Sequence, residues 1–515
     1  MLVNLRNNLF SPVLVFGMLL SGICFLFSKQ PDYLMLLTIA QLVFVPAMLK
    51  MVVPLKKYED AILVVMMIAV TMLHWWAEGA IAVVLALIYV FYTAFVAWKG
   101  VNRFLQRGFT NLAEMVIDIG LIYLFVGGLW FFAYTAQIDT GFTPIITWLT
   151  GIHFHYSAFL LVISVGLFGR MHQSKWYSAS VVILVAGPML VAIGITFSTV
   201  IEIVSVLLYI FALYCLFILI MQTKFPRGQG FLLRISFDSI CVTILWSLLY
   251  AFGNFIGTTI VGIPSMLKFH GFFNCVLVGG LGVLAWAIAV PKSVQQPFLF
   301  PVSNIRGKLL VTGDVHPGLV DDLSDYVDIR NLPQSIRYFY EQTSTFTLTA
   351  SVQWSIWFKP FAFVFQWISR WMQQLNLPIS SQPVEMQGTI VQVDEQVDGR
   401  KAPRAWIRKI NEQTTFVAIY SQHTKDQTTY MNIALPLPFS TMIGVLYLYE
   451  ENCKLHLTSK QGDDSGIYLA FRHFLFKLPL HEHFTIEATY DTTLTAIHKM
   501  HIFGLPFLRI DYKIV

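Results

Sequence analysis

The sequence predicts an all-α membrane bundle of about ten transmembrane helices, followed by a cytoplasmic α+β domain dominated by antiparallel β-sheet or barrel. Before Pro291 the chain is a series of apolar runs, several of which reach the roughly 20 residues that a helix needs to cross a hydrocarbon core. After Pro291 the runs are short, alternate in polarity and are separated by polar turns. The formal net charge of +5 lies in the first part, which has 14 basic and 9 acidic residues; the second part has 20 of each.

Ten apolar runs predict the membrane helices, because a helix satisfies its own backbone hydrogen bonds in lipid. The first run is interpreted as a retained helix and not a signal peptide, since no cleavage signal of small residues follows it. The runs are Pro12–Ser28, Tyr33–Val53, Asp60–Trp76, Ala80–Trp98, Ala113–Ala136, Ile152–Gly169, Ala179–Ser198, Val204–Gln222, Phe231–Phe252 and Leu267–Val290.

Basic residues alternate between the two sides of this predicted bundle. They lie before the first run and after every second run, with Lys29 and Lys268 as the exceptions. Because cytoplasmic loops are enriched in Lys and Arg, both termini and the tail are expected in the cytoplasm. The residues that set this orientation are Arg6, Lys50, Lys56, Lys57, Lys99, Arg103, Arg107, Arg170, Lys175, Lys224, Arg227 and Arg234.

The tail is expected to have two parts. Residues 291–334 form a polar connector after the membrane domain of residues 1–290, and residues 335–515 form the β-rich domain. Short strands at regular spacing with polar turns are typical of an antiparallel sheet or barrel. Near 353–375, aromatic residues recur every three or four positions, which predicts a helix. That helix either packs on the sheet as core or lies in the lipid headgroup layer, and both alternatives stay open.

Candidate functional residues lie in the membrane domain, where ionisable side chains are costly and usually face a cavity or a partner. With the orientation above, eight polar residues lie toward the outer ends of their helices. Residues four apart share a helix face, whereas His153 and His155 point about 200° apart on a regular helix. The set, expected to form an outward-facing polar pocket for substrate or protons, is His74, Glu78, His153, His155, Glu202, Asn254, His270 and Asn274.

Alternative interpretations of this set remain. Imidazole and carboxylate groups together can also bind a transition metal, and polar residues near headgroups can simply hydrogen-bond between helices. The sequence identifies no metal ligand set, no cofactor-binding motif and no catalytic residue, and its five cysteines lack metal-site spacing. The absence of a P-loop and of G-x-S-x-G disfavours an ATP-driven pump and a serine hydrolase. The expected partners are the bilayer and a small-molecule or lipid ligand, and the modest charge requires no nucleic acid.

Several segments carry a family resemblance. They are GIHFHYSAF at 151–159, FHGFFN at 269–274, FYE at 339–341, QLNLP at 374–378, PRAW at 403–406 and YMNIALP at 430–436. These segments resemble motifs of the YndJ-like integral membrane proteins of bacilli. The resemblance implies a multi-pass protein of the bacterial plasma membrane, in a family sometimes described as transporters, and it carries over no substrate or mechanism.

The sequence therefore favours a secondary transporter or permease. A membrane-embedded, metal-dependent enzyme acting on a lipid or envelope precursor is one alternative. A membrane sensor or scaffold, whose cytoplasmic domain binds a lipid or a protein, is the other.

Overall fold

The structure is a computed structural model that describes residues 9–226, 228–293, 295, 297–307, 309, 313–372, 374–410, 413–490 and 493–515. The chain divides into two compact units. The first unit comprises Met1–Phe104 and Asn111–Gln295, and the second comprises Leu105–Thr110 and Gln296–Val515.

The first unit is helical. Its described part contains ten main helices, one for each predicted apolar run. They are α1 (Pro12–Phe27), α2 (Asp32–Val52), α3 (Lys57–Met72), α4 (Gly79–Leu105), α5 (Leu112–Thr135), α6 (Pro144–Gly169), α7 (Lys175–Phe197), α8 (Thr199–Gln222), α9 (Gln229–Ile256) and α10 (Ile263–Ile288).

The prediction of about ten spanning helices is wrong in number, because eight helices of the described chain are long and apolar enough to cross a membrane. The two that fall short are α1 and α3, with 16 residues each. Sixteen residues rise about 24 Å, less than the roughly 30 Å of a hydrocarbon core. The run that predicted α3 continues to Trp76, but the chain leaves the helix after Met72 and turns at Leu73–Trp75.

Three of the long helices contain π-helical turns, in which the backbone hydrogen bond reaches one residue further than in an α-helix. One turn lies in α2 at Ala40–Phe44 and one in α6 at Phe154–Leu160. The α10 helix has two, at Leu267–Gly271 and Asn274–Gly280. Such turns are rare and are frequent at functional sites.

Buried hydrogen bonds join these helices to one another. The indole Nε1 of Trp286 in α10 donates to Ser164 Oγ in α6 at 2.6 Å. The hydroxyl of Tyr156 in α6 donates to the carbonyl of Leu36 in α2 at 2.6 Å. Polar contacts of this kind hold membrane helices together, since burial of apolar surface gives little advantage inside lipid.

The second unit is built on twelve antiparallel strands, which confirms the predicted antiparallel sheet. The strands are β1 (Leu348–Trp354), β2 (Val384–Gln392), β3 (Arg404–Ile410), β4 (Gln413–Lys425), β5 (Thr428–Leu437), β6 (Ser440–Glu451), β7 (Lys454–Thr458), β8 (Gly466–Phe471), β9 (Phe474–Lys477), β10 (Leu480–Tyr490), β11 (Thr493–Ile502) and β12 (Leu505–Ile514). The helices of this unit are α11 (Gln334–Glu341), α12 (Lys359–Met372) and α13 (Glu395–Asp398).

Ten of the strands close into a barrel. Their order is β5-β4-β3-β2-β1-β12-β11-β10-β7-β6, and β6 pairs back onto β5. The first half of β6 also pairs with β8, which carries β9, while its second half pairs with β7. Alternation along β3 separates the two faces of the barrel wall, because successive strand residues point to opposite sides. Trp406 and Arg408 line the interior, whereas Ala405 and Ile407 join an outer apolar cluster.

The predicted connector, residues 291–334, packs largely on the barrel. Phe300 and Ile305 belong to the outer apolar cluster. Leu319 joins the interior cluster together with Phe339 of α11. From Pro297 onward, the described residues of this segment therefore belong to the second unit and extend its core.

The aromatic segment forms α12, within the range 353–375 predicted for it. One face of α12 packs inward, where Ala362 is buried and Phe365 lines the barrel interior. The opposite face is apolar and exposed, with Phe363 69% and Trp367 79% accessible. The helix thus packs on the sheet through one face and leaves the other without a partner in the described chain.

A buried ion pair ties α13 to the barrel. Asp398 and Arg400 are fully buried, and Arg400 Nε donates to Asp398 Oδ2 at 2.6 Å. Arg400 also donates to the carbonyls of Asn432 and Ile419, and Ser303 Oγ donates to Asp398 Oδ1 at 2.6 Å. The bonds from Arg400 to Asn432 and Ile419, and the bond from Ser303 to Asp398, join segments that are far apart in sequence. The pair therefore fixes the path of the chain between β2 and β3.

We expect Asp398→Asn to lower the free energy of unfolding of the second unit by about 3–5 kcal/mol, because it leaves the Arg400 guanidinium buried without a counter-charge. Chemical unfolding of the full-length protein, followed by circular dichroism, measures this loss. The matched control is Asp328→Asn, which breaks the exposed pair with Arg330 and should leave the free energy of unfolding nearly unchanged. Equal losses in the two variants would contradict the assigned role of the buried pair.

Candidate functional site

The eight polar residues singled out from the sequence do not share one pocket. His74 and Glu78 line a cavity of about 310 Å³ among α2, α3, α5 and α6. A second cavity, of about 190 Å³, lies among α6, α7, α8, α9 and α10. Of the eight residues, the second cavity is lined by His153, Glu202, His270 and Asn274, while Asn254 contacts Glu202 and His155 lies elsewhere.

In the first cavity, His74 is held by hydroxyl groups on both sides of its ring. Its Nδ1 lies 2.7 Å from Ser28 Oγ, and its Nε2 lies 2.9 Å from Thr38 Oγ1. Both nitrogens are therefore engaged, and Glu78 is exposed at the edge of the cavity. A buried polar atom facing this region, Gln41 Nε2, has no hydrogen-bond partner in the described part of the chain.

In the second cavity, two histidines face one another with their ring centroids 6.3 Å apart. His153 Nδ1 lies 2.6 Å from the carbonyl of Leu149, and His270 Nδ1 lies 3.0 Å from the carbonyl of Thr243. A carbonyl oxygen only accepts, so each Nδ1 carries the hydrogen. In the neutral ring, Nε2 is then a hydrogen-bond acceptor. The two rings thus bring two acceptor nitrogens to the cavity.

Glu202 adds a carboxylate near the beginning of α8. Asn254 Nδ2 donates to Glu202 Oε1 at 3.0 Å, and the Glu202 side chain is nearly buried. Its place in the first helical turn suits a negative charge, because the amide groups there carry partial positive charge. Gly194 of α7 packs directly on its backbone, since a Cβ added to Gly194 would lie 2.5 Å from the Glu202 Cα.

Asn274 completes the polar lining from α10. Its Oδ1 accepts a hydrogen bond from Thr243 Oγ1 at 2.7 Å, and Thr243 supplies the carbonyl that holds His270. The π-helical turns of α10 contain His270 and Asn274, and the turn of α6 begins directly after His153. The polar residues of these two helices therefore lie where the helices depart from regular geometry.

His155 belongs to the protein core. It is fully buried, its Nδ1 lies 2.7 Å from the carbonyl of Gly151, and its Nε2 bonds the hydroxyl of Tyr89. Its ring also packs against Gly127, where a Cβ would lie 2.9 Å from Nδ1. His153 and His155 point in different directions, as their separation of two residues requires.

The described residues include no group of three or more His, Cys, Asp or Glu side chains placed to hold a metal ion. In the second cavity, the imidazole, carboxamide and carboxylate groups instead bond to backbone carbonyls and to one another. The chemistry that this arrangement offers is hydrogen bonding and proton exchange.

A cluster of four charged residues was missed in the sequence. Glu114 accepts from Arg170 Nε at 2.6 Å and from Arg103 at 2.7 Å, and Arg103 Nε also donates to Asp118 at 2.9 Å. Glu114 and Asp118 are both buried. Their spacing of four residues places them on one face of α5, and this was the available signal. The arginines were interpreted as markers of the cytoplasmic surface, although their side chains reach back into the helices.

This cluster and the second cavity lie at opposite ends of α6. His153 is in the first half of the helix, whereas Arg170 directly follows its last residue. Seventeen residues of helix rise about 25 Å, so the two features are separated by most of the roughly 30 Å of a hydrocarbon core. The unit therefore has a polar cavity toward one end and a paired charge cluster at the other.

These features define a polytopic membrane protein with buried polar sites between its helices. The chain belongs to the YndJ-like protein family: the model of that family matches residues 35–278, which include all eight candidate residues. The "Uncharacterized membrane protein YndJ" of Bacillus subtilis (strain 168) is 37% identical over 453 residues, which cover 83% of each chain. No solved structure gives a significant match.

We expect Glu114→Gln to destabilise the first unit by about 3 kcal/mol, since it leaves Arg103 and Arg170 with too little negative charge around them. Fluorescence-detected size-exclusion chromatography after heating, performed in one fixed detergent, measures the midpoint of aggregation. The control is Glu78→Gln, which changes an exposed carboxylate and should leave the midpoint unchanged. A midpoint for Glu114→Gln that matches the control would show that the cluster is not needed for stability.

Proposed function

We propose that the first unit is a secondary transporter or permease, and that substrate or protons pass through the second cavity. The observation that carries this proposal is a cavity among five membrane helices, lined by two histidines, Glu202 and Asn274. Apolar cavities with a few convergent polar groups are the usual form of small-molecule sites. At about 190 Å³ the cavity suits a small solute.

The polar groups favour a ligand that donates hydrogen bonds. The Nε2 atoms of His153 and His270 accept hydrogen bonds, and so do the carboxyl oxygens of Glu202. A small cationic or amine-bearing solute would satisfy these acceptors. Histidine also changes charge close to neutral pH, so the same groups can exchange protons during transport.

The irregular helices support a transport role. Transporter sites are typically built where membrane helices are interrupted, because freed backbone groups and side chains then face the substrate. In this chain, the π-helical turns of α10 contain His270 and Asn274, and the turn of α6 begins directly after His153.

The distribution of basic residues supports an outward-facing orientation for the cavity. Across α4–α10, Lys and Arg residues follow α4, α6 and α8, all on one side of the unit. By the preference of basic residues for the cytoplasm, that side and the tail after α10 are cytoplasmic. The cavity lies toward the opposite side, where α6, α8 and α10 begin. The bacterial plasma membrane is the proposed location.

A metal-dependent enzyme is the less favoured alternative, since the described residues provide no metal ligand set in the cavity. A sensor or scaffold that binds a lipid through its tail is compatible with transport by the other unit, because the two functions use different parts of the chain.

The proposal is tested with the purified protein in liposomes under an imposed pH gradient. The external probe is a defined pool of amino acids, polyamines, nucleosides and small sugars, and mass spectrometry quantifies what enters. We expect wild-type liposomes to accumulate a member of the pool, and His270→Ala and Glu202→Gln to reduce its uptake by at least about tenfold, since each removes a bond to substrate or proton.

His172→Ala is the matched control, because His172 lies outside the cavity, after α6. It should transport like the wild type. The proposal is overturned if no member of the pool enters wild-type liposomes, with or without the gradient. It is also overturned if the correctly folded His270→Ala and Glu202→Gln variants take up the solute as fully as the wild type.

A further inference from the structure

The barrel of the second unit encloses an apolar cavity of about 400 Å³. This volume lies in the range of roughly 300–1,000 Å³ that is typical of small-molecule sites. Aliphatic and aromatic side chains from strands all around the barrel dominate its wall, among them Met386, Leu457, Ile486 and Phe507. An interior of this kind suits a hydrocarbon chain.

One positive charge lies in this apolar wall. The Arg408 side chain projects inward from β3, with only 8% of the residue accessible, and lies between two aromatic rings. Its guanidinium carbon is 4.4 Å from the ring centroid of Trp406 and 4.0 Å from that of Phe416. No carboxylate of the described residues forms an ion pair with it, and its Nε has no hydrogen-bond partner there.

The wall also contains a carboxylate, Glu482, which is hydrogen-bonded to a histidine. Glu482 Oε2 lies 3.1 Å from His498 Nε2, and the ring of His498 stacks on Phe484 with centroids 3.7 Å apart. Gly444 leaves room for this carboxylate, since a Cβ there would lie 2.7 Å from Glu482 Oε1. Among the described residues no ion pair joins Glu482 to Arg408, so the guanidinium of Arg408 can meet the oxygens of a ligand.

Two tyrosines beside Arg408 provide hydrogen-bond donors. Burial raises the pKa of Tyr420 to about 12, and it also raises the pKa of Tyr512. Both phenols therefore stay protonated at neutral pH, and both line the cavity. A phenol hydrogen and a guanidinium together match the oxygens of a carboxylate or phosphate.

We propose that the barrel binds a single-chain amphiphile with an anionic head, of the class of long-chain fatty acids and lysophospholipids. The acyl chain occupies the apolar interior, and Arg408 with Tyr420 and Tyr512 binds the head. The proposed transport cavity lies in the other unit, so either proposal can fail without the other.

Photo-crosslinking in nanodiscs tests the site in the full-length protein. The probe is palmitic acid that carries a diazirine on its chain, and mass spectrometry maps the labelled peptides. We expect labels on barrel strands that line the cavity, and an excess of unlabelled palmitic acid should remove them. Neutral monopalmitin at the same concentration should leave the labelling unchanged, because it lacks the charge that Arg408 binds. Competition by palmitoyl lysophosphatidate distinguishes a phosphate head from a carboxylate head.

We expect Arg408→Met to reduce barrel labelling by at least about tenfold, the usual effect of losing a hydrogen bond to a charged group. The matched control is Arg509→Met, which changes an exposed arginine on β12 and should label like the wild type. Labelling confined to the membrane helices, or equal competition by monopalmitin and palmitic acid in the wild type, would overturn the proposal. The competition result does not depend on the folding of any variant.

A separate observation concerns the outer face of α12. Five exposed apolar side chains, Phe361, Phe363, Val364, Trp367 and Ile368, cover this face. A cationic residue, Lys359, begins the helix. Helices with a large apolar face, aromatic residues and flanking positive charge bind at the surface of a bilayer.

The chain connects this unit directly to membrane helices. The last span ends at Ile288, and the second unit begins at Gln296. In that unit, Trp357, just before α12, donates from Nε1 to the carbonyl of Pro506 at 3.0 Å. The exposed ring of Phe503 in the same β11–β12 turn packs on Phe109 with centroids 5.6 Å apart.

Phe109 belongs to the loop that joins α4 and α5, both long enough to cross a membrane. We also infer that the outer face of α12 inserts into the headgroup layer of the membrane that holds the first unit.

Fluorescence quenching in nanodiscs tests this second inference. Phe363→Cys, in a Cys453→Ser background, is labelled with a nitrobenzoxadiazole dye, and lipids carrying a nitroxide on the acyl chain are added. We expect strong quenching of this dye and little quenching at Asp463→Cys, an exposed control position in the turn before β8. Equal, weak quenching at the two positions would show that the face does not reach the lipid.

Discussion

The pairing of buried charge is the constraint on which the structure depends. A charge that leaves water without a partner costs several kcal/mol, so each buried carboxylate or guanidinium must be balanced within the fold. In the first unit, Glu114 is held by two arginines from different helices, which joins the ends of α4, α5 and α6. In the second unit, Asp398 and Arg400 satisfy one another and hold the segments around β3 and β5 together. These pairs are structural because every charge in them is compensated.

The same rule distinguishes structural charges from those free to bind a ligand. Arg408 is as buried as the paired arginines, yet no described carboxylate balances it, and the space beside it is a cavity. Glu202 is similar in the membrane unit, where an amide and not a cation contacts its carboxylate. A buried charge with a neutral partner, next to open space, is a site that a ligand of opposite charge would stabilise. Both proposed sites meet this description, although they lie in different units and suit ligands of opposite sign.

Much of the fold could be predicted from the sequence, because hydropathy and alternation are local properties. Each predicted apolar run forms a helix in the structure, and the tail of alternating polarity forms an antiparallel sheet. The number of spans was overestimated because α1 and α3 have only 16 residues each; α3 ends at Met72, four residues before the end of its apolar run. The interior of the barrel could not be predicted either: Trp406, Arg408 and Glu482 come together only when β5 pairs with β6, and no local pattern specifies that closure.

The candidate residues divide between two cavities because different helices surround them: His74 and Glu78 lie between α3 and α4, whereas the lining residues of the second cavity lie on α6, α8 and α10. A π-helical turn inserts one residue into a helix, which rotates every later side chain by about 100° relative to a regular α-helix. In α6 such a turn begins just after His153, and in α10 two turns contain His270 and Asn274. Across these turns, spacing in the sequence no longer indicates which residues share a helix face. A helical projection of the sequence places the later side chains on the wrong face. Depth along the helix survives the insertion because one residue adds only about 1.5 Å. The sequence could not specify which helices are neighbours, and that choice decides which of the candidate residues share a cavity.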